Sequence, residues 1–355
     1  MPQNVYIHIP FCKQKCKYCS FISYPCINKK ADYLIALNKE INYYYQNEIL
    51  NTLYFGGGTP SLLTTEELKN IIKLFNINNN TEITIELNPE TITEKYLTDL
   101  YNTGINRLSI GCQTFNNEIL KLIGRKHTAE DVKNTVKLAQ KIGFNNISLD
   151  FIYGLPNQTI EDFEKDLKKA LELNIQHISL YGLKIDEGCY FYENMPKNLP
   201  DNDTQADMYL KAIEILKDFG HYEISNFGKP SQHNLNYWNN NTYYGFGVAA
   251  HGYINNIRYS NTESIDEYIQ TPTIHAEENK LTKQEQLEEE IFLGFRKCSG
   301  IDIDKINKKY NINFENKYKN ILEDYNKYFI KTNNGYALNN DGILISNNIL
   351  SEFIE

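Results

Sequence analysis

The chain has 355 residues, more than one compact domain usually holds, so a large domain and a smaller one are expected. Hydrophobic residues make up 41% and charged residues 23%, which excludes a wholly disordered or fibrous chain, and no apolar run approaches the ~20 residues of a membrane span. Its 36 basic and 45 acidic residues leave a net charge of −9, which disfavours phosphate-backbone binding and predicts no nucleic-acid partner.

In chain order, strands are predicted at 5–9, 52–55, 82–86, 107–110, 147–152 and 177–181. Helices are predicted between them at 33–45, 65–75, 93–101, 129–142 and 160–173. The helix at 129–142 carries Val132, Val136, Leu138, Ala139 and Ile142 near helical spacing. This rhythm predicts the α/β class, a parallel sheet with helices outside it that forms an open or partial (β/α)6 TIM-like barrel over residues 1–190. In such folds chemistry gathers at the C-terminal strand ends.

Pro196, Pro200 and a run of Asn and Asp mark a boundary. Residues 191–275 then read as an extension, a helix at 204–219 followed by Tyr-, Asn- and Gly-rich strands and loops. Residues 276–355 read as a small C-terminal domain. Helices are predicted there at 284–297, 302–310 and 315–328, then a hairpin at 328–345 with turns at Asn333-Asn334-Gly335 and Asn340-Asp341-Gly342. Helices followed by a hairpin suggest a winged-helix shape, but 11 basic against 14 acidic residues make packing on the barrel its expected role.

The seven cysteines, an odd number, argue against a disulfide framework. Three of them, Cys12, Cys16 and Cys19, are spaced C-x3-C-x2-C directly after the first strand. Thiolates are soft ligands for iron–sulfur clusters or zinc. Three thiolates leave one iron of a [4Fe–4S] cluster open, whereas structural zinc wants a fourth ligand, for which Cys26 or His8 would be recruited. The position at the head of a β/α barrel favours the open cluster. Lys13, Lys15 and Lys17 around it are solvated loop charges that could also meet an anionic electron donor. Phe55-Gly56-Gly57-Gly58-Thr59-Pro60 follows the second strand, and glycines there let backbone approach a ligand closely. The first ten residues show no secretory leader, so the expected location is the cytoplasm, with no membrane span and at most a transient membrane association through a partner.

The cysteine loop together with Gly56–Thr59 resembles the radical SAM superfamily. Tyr6-Ile-His8-Ile-Pro10-Phe11-Cys12 is similar, more narrowly, to the family of oxygen-independent coproporphyrinogen III dehydrogenases and their haem-chaperone relatives (HemN/HemW). Further matching stretches begin at Glu86, Arg107, Gly124, Asp150, His233 and Gly245, so the resemblance runs the length of the chain. It implies a [4Fe–4S] cluster on Cys12, Cys16 and Cys19 with S-adenosylmethionine (SAM) at the open iron. SAM contacts implied by the family are Tyr6, Tyr18, Gly57, Gly58, Thr59, Glu86, Gln113, Arg125 and Asp150, with Lys184 a weaker match. All are expected at or just after a strand end. The plainer alternatives are a surface ion pair for Arg125 and a helix cap for Asp150.

Fold and cofactor are common to both branches of that family. The dehydrogenases carry a fourth cysteine two residues after the third, where this chain has Phe21, and a longer segment before the cysteines than the eleven residues found here. The His233-Asn234-Leu-Asn-Tyr237-Trp238 motif also matches the chaperone branch. The resemblance therefore implies haem as cargo, an acceptor haemoprotein and an electron donor such as a flavodoxin or ferredoxin. A capacity to cleave SAM reductively is implied too; a true coproporphyrinogen III dehydrogenase, decarboxylating the propionates in haem biosynthesis, is the alternative. Haem wants an axial ligand and flat apolar walls. His233, Tyr237, Trp238 and His251 are the candidate haem-proximal residues, with packing in the core as the plainer role.

Overall fold

A computed structural model describes residues 1–354 of the chain. Five helices follow the first strands in alternation. They are β1 (Asn4–Ile9), α1 (Lys30–Tyr44), β2 (Thr52–Gly57), α2 (Thr65–Ile72), β3 (Glu82–Leu87), α3 (Glu94–Asn102), β4 (Arg107–Gln113), α4 (Asn117–Leu122) and α5 (Ala129–Ile142). The barrel then continues through β5 (Ile147–Tyr153), α6 (Ile160–Glu172) and β6 (His177–Gly182). Strands β1 to β6 pair in order, all parallel, and α4 is the one helix here that periodicity did not predict. It is one and a half turns long, too short for a periodic signal, and starts where the Asn116 side chain accepts from the Glu118 and Ile119 amides.

The strands alternate. Val5, Ile7, Leu53, Phe55, Ile83, Ile85, Leu108, Ile110, Leu149 and Ile178 point one way and are buried against the helices. Each such side chain contributes roughly 1.5–3 kcal/mol on burial. The other face carries Tyr54, Glu86, Arg107, Ser109, Ser148, Asp150, His177 and Ser179, so the concave side of the barrel is polar. Parallel register aligns these side chains across strands, with Glu86 beside Ser109 and Asp150 beside Ser179.

The extension holds α7 (Tyr190–Glu193), α8 (Asn202–Ile215), β7 (His221–Glu223), β8 (Asn226–Gly228), α9 (Gln232–Trp238), β9 (Tyr244–Phe246), β10 (His251–Ile254), β11 (Ile257–Ser260) and α10 (Ile265–Gln270). Three of its strands join the barrel sheet. β9 pairs parallel with β1, while β8 pairs antiparallel with β6 and β7 lies outside it, giving nine strands in one open sheet. The barrel edges are thus covered by chain read from sequence as irregular, because three-residue strands carry almost no alternation.

β12 (Glu277–Lys280) completes a three-stranded sheet with β10 and β11. The C-terminal domain follows, with α11 (Lys283–Gly294), β13 (Ile301–Asp302), α12 (Ile303–Tyr310), α13 (Phe314–Lys317), α14 (Lys319–Asp324), β14 (Phe329–Lys331), β15 (Gly335–Leu338), α15 (Asn340–Leu344) and α16 (Ser346–Ser351). Its core, including Leu287, Ile291, Phe295, Phe314 and Phe353, is separate from the barrel core. Two local expectations are corrected. The helix predicted at 315–328 is broken at Tyr318, whose ring packs 5.0 Å from both Phe314 and Phe353, so tertiary packing overrides propensity. Asn340-Asp341-Gly342 is no hairpin turn; the Asn339 side chain accepts from the Gly342 amide at 2.8 Å and starts α15 instead. The predicted turn at Asn333-Asn334-Gly335 does connect β14 to β15.

Candidate functional site

The loop after β1 is pinned by backbone. Cys12 donates to the Tyr24 carbonyl at 3.1 Å, Tyr24 donates back to Pro10, and Cys19 donates to Cys16 at 3.2 Å. This folds Cys12, Cys16 and Cys19 over the C-terminal ends of the barrel strands, where all three line one cavity of about 620 Å³. The Cys12 Sγ lies 3.4 Å from the Thr59 hydroxyl, and Arg125 Nη1 reaches the Cys16 Sγ at 3.7 Å. Burial pushes the Cys19 thiol up to about 11, so a positive partner or an iron must hold it as thiolate.

The glycine segment forms the facing wall. Gly57 has φ +113°, which favours glycine, and a Cβ there would meet the His8 ring at 2.8 Å. A Cβ on Gly58 would sit 2.8 Å from the Phe11 carbonyl and 3.1 Å from the Cys12 Sγ. The bare backbone therefore leaves a cradle beside the first cysteine. Glu86 accepts from the Tyr54 hydroxyl at 2.9 Å and from the Gly57 amide at 3.2 Å. Burial, with the negative Asp150 adding to it, raises the Glu86 carboxyl to about 7. Asp150 accepts from Ser109 at 2.8 Å and Ser148 at 3.0 Å, and Arg125 donates to Asn88 at 2.8 Å and to the Gly111 carbonyl at 3.1 Å.

Ten of the SAM-related positions were expected to meet. Tyr18, Gly57, Gly58, Thr59, Glu86, Gln113, Arg125, Asp150 and Lys184 all line the cavity that holds the cysteines. Neither plainer alternative describes what is seen: Arg125 is held by Asn88 and a main-chain carbonyl, and Asp150 by two serines inside the barrel. Lys184 sits at the mouth and pairs with Asp186 at 2.9 Å. Tyr6 is the exception. Its hydroxyl lies 3.1 Å from His8 Nδ1 and its ring stacks 6.0 Å from Tyr54, one ring removed from the residues that line the cavity. The residues fit an open cluster and SAM on two counts. Three thiols share one loop, and the Gln113 Oε1 is buried in the cavity wall without a protein partner.

The haem-proximal candidates are divided. His233 is buried inside the barrel, its Nδ1 2.7 Å from the Thr52 hydroxyl and its Nε2 2.7 Å from the Tyr237 hydroxyl. Burial, with the charge on Arg107 adding to it, pushes its imidazole down to about 3. Both ring nitrogens are engaged by protein, which suits a positioning residue better than an iron ligand. Tyr237 and Trp238 line a second cavity of about 710 Å³ between α9 and α11. His251 is exposed on β10 and lines neither cavity. Helix α9 thus faces both cavities, with Asn234 on the first and Tyr237 and Trp238 on the second.

Sequence reasoning passed over Asn88, Tyr54, Ser109 and Arg107. Asn88 joins the two walls, donating to Thr59 Oγ1 at 2.9 Å and accepting from Arg125. It stands two residues after Glu86 at the end of β3, so the strand-end rule could have found it. Tyr54, Arg107 and Ser109 are legible only once alternation is followed along each strand.

Residues 6–170 match the radical SAM superfamily and residues 281–344 the HemN C-terminal domain. The heme chaperone HemW of Lactococcus lactis is 37% identical over 99% of this chain and 97% of its own length. That of Bacillus subtilis is 36% identical over 99% of both. Among solved structures, the Escherichia coli coproporphyrinogen III oxidase HemN, a radical SAM enzyme, superposes with a TM-score of 0.87 at 26% identity, covering 99% of this chain and 90% of its own.

Proposed function

The chain belongs to the HemW family of the radical SAM superfamily, and we propose that it is a haem chaperone that binds haem and passes it to an acceptor haemoprotein. Its cofactors are a [4Fe–4S] cluster and SAM. The observation that carries the reading is the single cavity at the strand ends, where three cysteines, the glycine wall and the polar side chains of Glu86, Gln113, Arg125 and Asp150 converge in a chain related to haem chaperones over its whole length.

Cys12, Cys16 and Cys19 hold the cluster, which when bound offers one open iron to SAM and a route for an electron to it. Gly57, Gly58 and Thr59 take the methionine end, where only bare backbone fits against Cys12. Arg125 supplies the cation for the SAM carboxylate, fixed in place by Asn88 and Gly111. Glu86 and Asp150 offer carboxylate oxygens to the amino and ribose groups, and Gln113 its unpartnered Oε1. Tyr18 and Lys184 close the mouth, and Tyr6 supports the wall through His8.

Tyr237 and Trp238 serve haem as wall residues; His233 positions Tyr237 and holds α9 to β2. His251, exposed on β10 and outside both cavities, is given no part in holding haem. Exposed Lys13 and Lys15 beside the cysteines, on a chain of net charge −9, suit an acidic electron donor of the flavodoxin or ferredoxin kind. The cytoplasm fits this role, and among the described residues no helix is long and apolar enough to cross a membrane.

Phe21 stands where the dehydrogenases have a fourth cysteine, and it is 69% exposed at the cavity mouth. The test is a pair of assays on protein reconstituted without oxygen. Titrated haem should bind at about one equivalent with a shifted Soret band, and coproporphyrinogen III with reductant should give no protoporphyrinogen. Turnover of the porphyrinogen would transfer the chain to the dehydrogenase branch.

A further inference from the structure

The second cavity has no role in cluster or SAM binding. It is built by the extension and the C-terminal domain, with Tyr237, Trp238 and Tyr243 on one side and Leu281, Phe292 and Leu293 on the other. We propose that this cavity is the haem site and that Tyr243 supplies the axial oxygen to the iron. The inference rests on the chaperone reading and adds to it the place and the ligand.

These rings and aliphatic chains give the flat apolar faces a macrocycle requires, beside polar lining from Asn240, Asn241, Asn279 and Arg258. Three carboxylates also border the cavity, but each is engaged. Glu285 accepts from the Thr282 amide at 2.7 Å, Glu288 from Gln284 at 2.7 Å, and Glu289 from Arg258 at 2.7 Å. Phenolic oxygen is the remaining donor on the aromatic side of the cavity. Tyr237 is spent on His233, whereas the Tyr243 hydroxyl has only the Arg258 guanidinium, at 3.4 Å.

That pairing sets a guanidinium beside the phenolic oxygen. Burial raises the Tyr243 phenol and the Glu289 charge adds to it, while Arg258 opposes them by charge and hydrogen bond, so the site holds the neutral phenol beside a cation. Arg258 is itself held by Glu289, by Asn240 at 3.0 Å and over the Tyr253 ring at 4.0 Å. Tyr243 exchanges two backbone hydrogen bonds with Tyr253, at 2.9 and 3.0 Å, which fixes its position. When ferric haem hydroxide enters, the phenol proton leaves with the hydroxide as water. The phenolate oxygen takes the vacated iron position, and no electron moves.

A chain of rings ties this site to the first cavity. Tyr243 lies edge-on to Tyr237 at 4.7 Å, Tyr237 bonds His233, His233 stacks on Tyr54 at 4.9 Å, and Tyr54 donates to Glu86 in the SAM cavity.

The test is titration of Tyr243→Phe and Tyr243→His holoprotein with haem and with iron-free protoporphyrin IX. Tyr243→Phe should bind haem at least about tenfold more weakly and lose the phenolate-to-iron absorption, with protoporphyrin IX and SAM binding unchanged. Tyr243→His should regain affinity with a different Soret position. A Tyr243→Phe protein with the parent's haem spectrum and affinity overturns the ligand assignment and leaves the chaperone reading standing. A parent chain that takes up no haem overturns both.

Discussion

The two cavities differ in how they are made. The first is assembled from successive strand ends of one parallel sheet, so each contributing residue sits at a position the fold dictates. The second lies where α9, the β10–β12 sheet and α11 meet, and its residues come from segments that share no repeat. The first gathers the three cysteines, the glycine wall and the carboxylates of Glu86 and Asp150; the second sets aromatic and aliphatic side chains beside Glu285, Glu288, Glu289 and Arg258. On the proposed reading the chain keeps its redox cofactors and its cargo apart, in two cavities that α9 faces on either side.

The largest effect that would break this separation is at the cysteines. The parent protein should carry on the order of four irons after reconstitution, and Cys12→Ala should lose most of them with the brown absorbance. Iron analysis with visible spectra checks this, and haem uptake should persist in the same variant. A Cys12→Ala protein that keeps its iron would sink the ligand assignment.

Next is Arg125, whose guanidinium is the fixed cation of the first cavity. Arg125→Ala should weaken SAM binding about 30-fold, some 2 kcal/mol for a lost charge-assisted hydrogen bond, and leave haem affinity unchanged. Calorimetry with SAM measures it; an equal loss of haem affinity would show that the cavities are not independent.

Smaller again is a pH effect. Glu86 holds its proton up to about 7 in the folded chain, against 4.5 for an ordinary glutamate, so folding takes up a proton between those values. Its contribution to stability therefore falls as pH rises from 4.5 to 7 and stays low above. Glu40 behaves alike: burial raises it to about 7 while it accepts from Gly247, Asn261 and Tyr268. Glu86→Gln should flatten the fall in melting temperature over that window without abolishing it, because Glu40 remains. An unchanged slope would contradict the assignment.

The smallest effect is expected at Phe21. Since it is 69% exposed, Phe21→Cys should shift stability by no more than about 0.5 kcal/mol. It should restore the dehydrogenase spacing without restoring coproporphyrinogen turnover, because the second cavity and α9 are unaltered. Turnover by this variant would make that one position the whole difference between the branches.

The sequence made the barrel and most of the first cavity legible, since all six predicted strands start within one residue of the observed ones and most motif residues fall at or near their ends. Val5 to Ile9, with alternate residues buried, is such a strand. Tyr6 lies one ring away from the cavity lining, a placement set by its contacts with His8 and Tyr54. His233 was ambiguous for the same reason: its two hydrogen bonds, to Thr52 and Tyr237, depend on partners 181 and 4 residues away. Only the side of the second cavity around Tyr237 and Trp238 was legible, since Phe292 joins them only when the C-terminal domain packs against the extension. The break at Tyr318 was equally hidden, its cause being the distant Phe353 ring.

The measurement that bears most directly on this division is a haem titration of the reconstituted protein with and without saturating SAM. Separate cavities predict about one equivalent of haem in both titrations and the same stoichiometry of SAM before and after haem. Displacement of one ligand by the other would place both in a single site and contradict the account.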